Sequence, residues 1–323
     1  MSFSKQAKLV CQAQAAAAAA IFAVQFFALH TGPANAQVNA QNPTTQFAGT
    51  APAPVAISAF AGAGSTAKPA AGTAPAAPAP AMPAACTTPA ALTHFNRPLV
   101  HTMRRLANGQ PLTIVAIGSS STAGAGASSS AATYPSRLAL ELRSRFPGRE
   151  ITVINRGVNG EETNNMMARF EADVLAAHPQ LVLWQIGTNS VLRDHPLNPH
   201  AVELHDGIER LKAAGADVVL IDPQFAPAVL AKSETQGMVE QIALAAKQEN
   251  VALFQRFAVM RDWHDVQHLS FDAFVSPDHL HMNDWSYACL AKLLGGAIAE
   301  AATRPIAAAA VHPDTISAKP DIQ

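Results

Sequence analysis

Hydrophobic and polar positions alternate in two different rhythms between about residues 93 and 303. Short continuous apolar runs recur: "LTIVAIG" (112–118), "ITVINRG" (151–157), "LVLWQIG" (181–187), "ADVVLID" (216–222) and "VALFQRF" (251–257). Runs of this length, rich in Val, Ile and Leu, predict strands buried on both faces, as in a parallel sheet. Between them the period lengthens. Tyr134, Leu138, Leu142 and Phe146 recur every fourth residue, with Arg137, Glu141 and Arg145 on another face. That spacing predicts an amphipathic helix. Further helices are predicted near 163–177, 200–214, 233–249 and 285–302. Strands alternating with helices predict a three-layer α/β domain over 93–303 with a five-stranded parallel sheet. Right-handed crossovers place every strand C-terminus along one edge, where open α/β sheets bind ligands. Three runs end in Gly followed by polar residues: Gly118-Ser-Ser, Gly157-Val-Asn-Gly and Gly187-Thr-Asn.

The rhythm is absent from both flanks. Residues 1–36 read as a signal peptide: Lys5 and Lys8, an apolar stretch from Ala15 to Leu29, then small residues at Ala34 and Ala36 before a cut after Ala36. Residues 37–92 are rich in Ala, Pro, Gly, Thr and Ser, and read as a disordered Ala/Pro-rich linker. Residues 304–323 read as a flexible tail of similar bias. These segments predict a periplasmic or secreted domain with no stable membrane insertion after cleavage. Cys11 would leave with the signal. Cys86 and Cys289 would remain as the candidates for a disulfide in an oxidising compartment.

Charge narrows the partners. Charged residues make up only 14% of the 323, and the net charge is −1, so no basic face is offered to nucleic acid.

Candidate chemistry collects at the predicted strand ends. "VAIGSSSTAGAGASSS" (115–130) places three serines and a threonine directly after the first strand. It lacks the glycine and lysine spacing of a Walker loop and the third glycine of a dinucleotide loop. A hydroxyl-rich loop could hold a flavin phosphate, which leaves a cofactor-binding module open; few aromatic residues are available to stack a flavin. The other reading is a serine nucleophile, which needs a base, an orienting acid and oxyanion donors. "SPDHLHMND" supplies Asp278 and His281, "GVNGEE" supplies Gly160, and "GTNS" supplies Asn189. "HDVQH" offers a second D-x-x-H pair, Asp265 and His268, and a possible i, i+4 pair of His264 and His268. Those read as a solvated polar segment, and no third metal ligand stands at convincing spacing.

The four segments, in this order over about 115–290, resemble the blocks of the SGNH (GDSL-type) hydrolase superfamily. The resemblance implies a flavodoxin-like sheet of order 2-1-3-4-5. It implies Ser120 as nucleophile in Gly118-Ser119-Ser120, with Thr122 matching the motif's extension. It implies Asp278 and His281 as the remaining catalytic pair, and an oxyanion hole from Ser120, Gly160 and Asn189. It also implies ester hydrolysis through an acyl-enzyme with no metal or organic cofactor. Ser119 stands where the motif has Asp, and Ser190 follows Asn189 where the family often has Asp. An exported hydrolase with a shallow site predicts short acyl, notably acetyl, esters on a small molecule or glycan. A lipase or lysophospholipase type and a non-catalytic glycan-binding module are the alternatives.

Overall fold

The computed structural model describes residues 85–304. The segment read as a signal, most of that read as a linker, all but Arg304 of that read as a tail, and Cys11 lie outside the described residues. In chain order the main elements are α1 (Val100–Ala107), β1 (Leu112–Gly118), α2 (Ser120–Ala123), α3 (Tyr134–Arg145), β2 (Ile151–Gly157), α4 (Thr163–Ala168), α5 (Phe170–Asp173), β3 (Leu181–Gln185), α6 (Thr188–Leu192), α7 (Asn198–Ala213), β4 (Asp217–Ile221), α8 (Pro227–Leu230), α9 (Thr235–Gln248), β5 (Ala252–Phe254), α10 (Arg256–Arg261), α11 (Phe271–Phe274) and α12 (Asp284–Thr303).

The five strands form one parallel sheet in the order β2-β1-β3-β4-β5. Side chains alternate across it, as the twofold period of a strand requires. Ile114 and Ala116 of β1 face one core, with Leu138 and Leu142 of α3 and Leu290, Leu294 and Ile298 of α12. Val115 and Ile117 face the other, with Met166 of α4, Leu204 and Ile208 of α7, and Met238 and Ile242 of α9. The sandwich of two helical layers around a parallel sheet is therefore as the alternating pattern predicts. The central strands are buried on both faces, but β2, at the sheet edge, exposes Thr152, Asn155 and Arg156.

Four local differences from the sequence expectation have physical causes. Helix α1 is additional. Its N-terminal amides at His101 and Thr102 are capped by the Asp217 carboxylate at 3.2 and 2.8 Å, from a residue far along the chain. No local cap advertises that helix. The stretch 163–177 is broken into α4, α5 and a short 3-10 turn, with Arg169 at the break bonded to both Glu161 and Asp173. The run 251–257 yields only Ala252–Phe254 as strand, because Asp222 accepts the Phe257 N–H (2.9 Å) and the Arg256 side chain donates to the Asp222 carbonyl (2.8 Å), turning the chain into α10.

The fourth lies at the start of the domain. Residues 85–92, read from composition as the end of the linker, are fastened to the fold. Cys86 is bonded to Cys289 of α12, with their Cα atoms 5.3 Å apart. Gln267 donates to the Thr87 carbonyl (2.9 Å), and Leu92 packs on the core. The bridge is the one expected from the two cysteines left after the signal-like segment; what the composition of 85–92 does not carry is the packing of that segment on the fold. Among the described residues, no helix is long and apolar enough to cross a membrane.

Candidate active site

The C-terminal ends of β1, β2 and β3 deliver three loops to one edge of the sheet. The first carries the hydroxyl-rich stretch. Ser119 and Ser121 are buried, whereas Ser120, at the first turn of α2, is only half-buried. Ser119 donates through both its N–H (3.0 Å) and its hydroxyl (3.1 Å) to Gln185 Oε1 at the end of β3, and Thr122 donates to the same oxygen (3.2 Å). The Ser119 and Thr122 hydroxyls thus share one acceptor beneath the loop, and Ser120 alone of the three serines bonds the histidine loop.

That loop lies between α11 and α12. His281 Nε2 is 2.7 Å from Ser120 Oγ, and His281 Nδ1 is 2.6 Å from Asp278 Oδ2. The other Asp278 oxygen accepts the backbone N–H groups of Leu280 (3.0 Å) and His281 (2.9 Å), so the loop curls around its own carboxylate. Burial pushes the Asp278 carboxyl up, but the His281 ring and these two amides outweigh it and hold the group below the ordinary carboxylate range. An ionised carboxylate can only accept. It therefore fixes the proton of His281 on Nδ1 and leaves Nε2 to accept the Ser120 hydroxyl.

The histidine loop is held from two further sides. Val275 and Met282 form an antiparallel bridge, and the Ser276 hydroxyl donates to the carbonyls of Met282 (3.1 Å) and Gly126 (3.3 Å). Gly126 has φ +86°, and a Cβ there would stand 2.4 Å from the Met282 carbonyl and 3.0 Å from His281 Cβ. The small residues after the serines are thus needed for the two loops to approach. From the β4 side, Ala228 donates to the His279 carbonyl (3.0 Å) and Gln224 to that of Leu280 (3.3 Å). Asn283 caps α12 by accepting the Ser286 N–H.

The remaining expected residues follow β2 and β3, the two strands that flank β1. Gly160 follows β2 with φ +78°, a conformation that leaves its position open to glycine alone at little cost. Asn189, in the first turn of α6, donates one amide hydrogen to the Glu161 carbonyl (2.8 Å), and its second amide hydrogen is left over. The second D-x-x-H pair is elsewhere. His264 pairs with Asp265 at 2.8 Å and stacks on Phe271, and His268 sits in a left-handed turn at φ +57°. It is His281, not His268, that reaches Ser120.

Sequence reasoning passed over Gln185, Gly126, Glu162 and Arg193. A glutamine inside the apolar run "LVLWQIG" is the visible signal for the first. The last two gain meaning only in three dimensions: Arg193 bonds the Gly160 carbonyl (2.8 Å) and the Glu162 carboxylate (2.6 Å).

The architecture is shared with solved esterases. A two-domain esterase active on acetylated mannans superposes with a TM-score of 0.57 at 20% identity, over 66% of this chain and 56% of that one. A catalytic mutant of an acetylxylan esterase from Geobacillus stearothermophilus gives 0.51 at 20% identity, over 58% of this chain and 94% of that one. At these identities the likeness is one of fold. In sequence, an acetylxylan esterase of Geobacillus stearothermophilus is 34% identical over 79 residues, 24% of this chain and 36% of that protein. An arylesterase of Vibrio mimicus is 34% identical over 80 residues, 25% of this chain and 40% of that protein. The chain thus spans less than half the length of these relatives. Ser119 is where the loop departs from the G-D-S consensus. The model of the non-GDSL lipase-like family matches residues 85–304, and the chain belongs to that family.

Proposed function

We propose that this protein is an exported serine esterase that removes short acyl groups, chiefly acetyl, from carbohydrate esters. The observation that carries the reading is the continuous relay Asp278–His281–Ser120, with contacts of 2.6 and 2.7 Å. In this reading His281 Nε2 takes the hydroxyl proton as Ser120 Oγ attacks the acyl carbonyl. Asp278 holds the ring and stabilises its charged form. The N–H groups of Ser120 and Gly160 and the free amide hydrogen of Asn189 receive the negative oxygen. The tetrahedral intermediate collapses, the C–O bond to the alcohol breaks, and His281 gives its proton to the departing oxygen. Water, deprotonated by the same nitrogen, then attacks the acyl-enzyme; the carboxylate leaves and Ser120 regains its proton.

Two observations favour a small acyl group. The rim segments that could wall an acyl channel are short and contain Pro196 and Pro223. Of the apolar side chains in the segment 223–232, Phe225, Ala226 and Val229 are buried, which leaves Leu230 as the large one exposed there. The names of the relatives, an acetylxylan esterase and an esterase active on acetylated mannans, agree with an acetylated sugar as substrate. The Cys86–Cys289 bridge fits an oxidising compartment, in line with the signal-like N-terminus.

The test is kcat/KM over p-nitrophenyl acetate, butyrate, octanoate and palmitate, with acetate release from acetylated xylan and mannan in parallel. Each buried CH₂ is worth about 0.8 kcal/mol where a hydrophobic channel exists. The expected order therefore falls from acetate onward. A rise through octanoate to palmitate would replace this reading with a lipase.

A further inference from the structure

We propose that Glu162 and Arg193 are positioning residues that clamp the two neighbouring oxyanion donors, Gly160 and Asn189, into one unit; the proposal rests on the esterase reading above. Three consecutive residues after β2 are each fastened to the segment 189–195. Arg193 Nη2 donates to the Gly160 carbonyl (2.8 Å), and Asn189 Nδ2 donates to the Glu161 carbonyl (2.8 Å). The Glu162 carboxylate accepts from Ser190 Oγ (2.9 Å) and Arg193 Nη1 (2.6 Å), and contacts His195 Nδ1 (2.8 Å). Glu162 also starts α4, where its N–H donates to the Asn165 side chain (3.1 Å).

The arrangement answers a mechanical need. Gly160 has no side chain with which to anchor its own amide, and its backbone is in the left-handed region. A donor is useful to a developing oxyanion only if it is already aimed. The planar Arg193 fork reaches the carbonyl of Gly160 with one arm and Glu162 with the other, a geometry that a lysine cannot reproduce. Ser190 fills the place where the resembling family often has Asp, and here it is a donor to Glu162. The clamp is little exposed at its centre, with Glu162 at 12%, while Arg193 is 45% exposed. A half-exposed ion pair adds little to global stability. Its loss should therefore appear in turnover before it appears in folding.

The test compares Glu162→Ala, Arg193→Ala and the double variant by kcat and KM on p-nitrophenyl acetate, by inhibition with a small alkylboronic acid, and by thermal melting. The boronate forms a tetrahedral adduct on the nucleophilic serine and reads the oxyanion donors directly. Each single variant should lose about 10- to 100-fold in kcat, somewhat less than removal of a donor outright, with KM moving less than about threefold. Boronate affinity should fall in parallel, and the double variant should be no worse than the poorer single one, because the two residues act as a unit. Arg193→Lys should fail to rescue, whereas Glu162→Gln, which keeps an acceptor, should recover part of the loss. If the alanine variants do not fold, Ser190→Ala removes one bond and no charge, and a smaller loss of kcat with matching boronate weakening is expected. Variants within twofold of wild type, losses that multiply in the double variant, or unchanged boronate affinity would overturn the clamp. A wild-type protein that neither hydrolyses esters nor binds boronate would instead overturn the esterase reading beneath it.

Discussion

Three adjacent serines share one backbone turn, yet their surroundings divide them. Ser119 is spent on Gln185, Ser121 is buried, and Ser120 meets His281. The motif match through Gly118 and Thr122 makes Ser120 legible in the sequence; the reason Ser119 is hydroxylated is not, because it depends on Gln185 from another strand. A second buried polar group sits nearby in the fold. Asp222 is fully enclosed, and burial pushes its carboxyl up to about 7 against the pull of the Phe257 amide and Arg256. A folded-state value raised above the unfolded one contributes stability that is complete below the ordinary carboxylate range and is lost as pH rises through about 7. Asp222→Asn keeps the acceptor for the Phe257 N–H and removes the titration. Melting temperatures of both proteins across this range should show the wild type's standing relative to the variant falling as pH rises. A relative gain with rising pH would contradict the assignment.

At the level of elements, the strands and the long helices were readable because their periods are local, and the short or capped pieces were not. The N-terminus of α1 is satisfied by Asp217, and β5 is cut short by Asp222, both through contacts between distant residues. The same holds for the approach of the serine loop to the histidine loop, which turns on Gly126. An alanine there meets both a left-handed backbone and the Met282 carbonyl at 2.4 Å. Gly126→Ala should destabilise the domain by about 1–3 kcal/mol. It should also cost on the order of 10²-fold in kcat through displacement of His281. Denaturant unfolding and steady-state kinetics on the same preparation check both; wild-type turnover would show that the loops do not depend on this contact.

Over the whole molecule, the layer order and the edge that carries the site follow from the alternation of strands and helices, and the sheet order 2-1-3-4-5 agrees with the resemblance. The start of the domain follows from the sequence only in part: the Cys86–Cys289 pairing is legible, whereas the order of residues 85–92 is not, because their composition matches the linker before them. A bridge from Cys86 to Cys289 closes a loop of 203 residues and ties the entering chain to the last helix. In the chain-entropy account a closure of that length restricts the unfolded state by about 5 kcal/mol. The fold thus presents its sheet edge on a body fixed at both ends, and what that edge does turns on one hydroxyl. The most direct measurement is reaction of the whole protein with a fluorophosphonate, followed by peptide mapping, beside p-nitrophenyl acetate hydrolysis by wild type, Ser120→Ala and His281→Ala. The predicted result is a single adduct on Ser120, with hydrolysis lowered by on the order of 10⁴-fold in both variants. Hydrolysis that survives Ser120→Ala, or an adduct on Ser119 or Ser121, would contradict it.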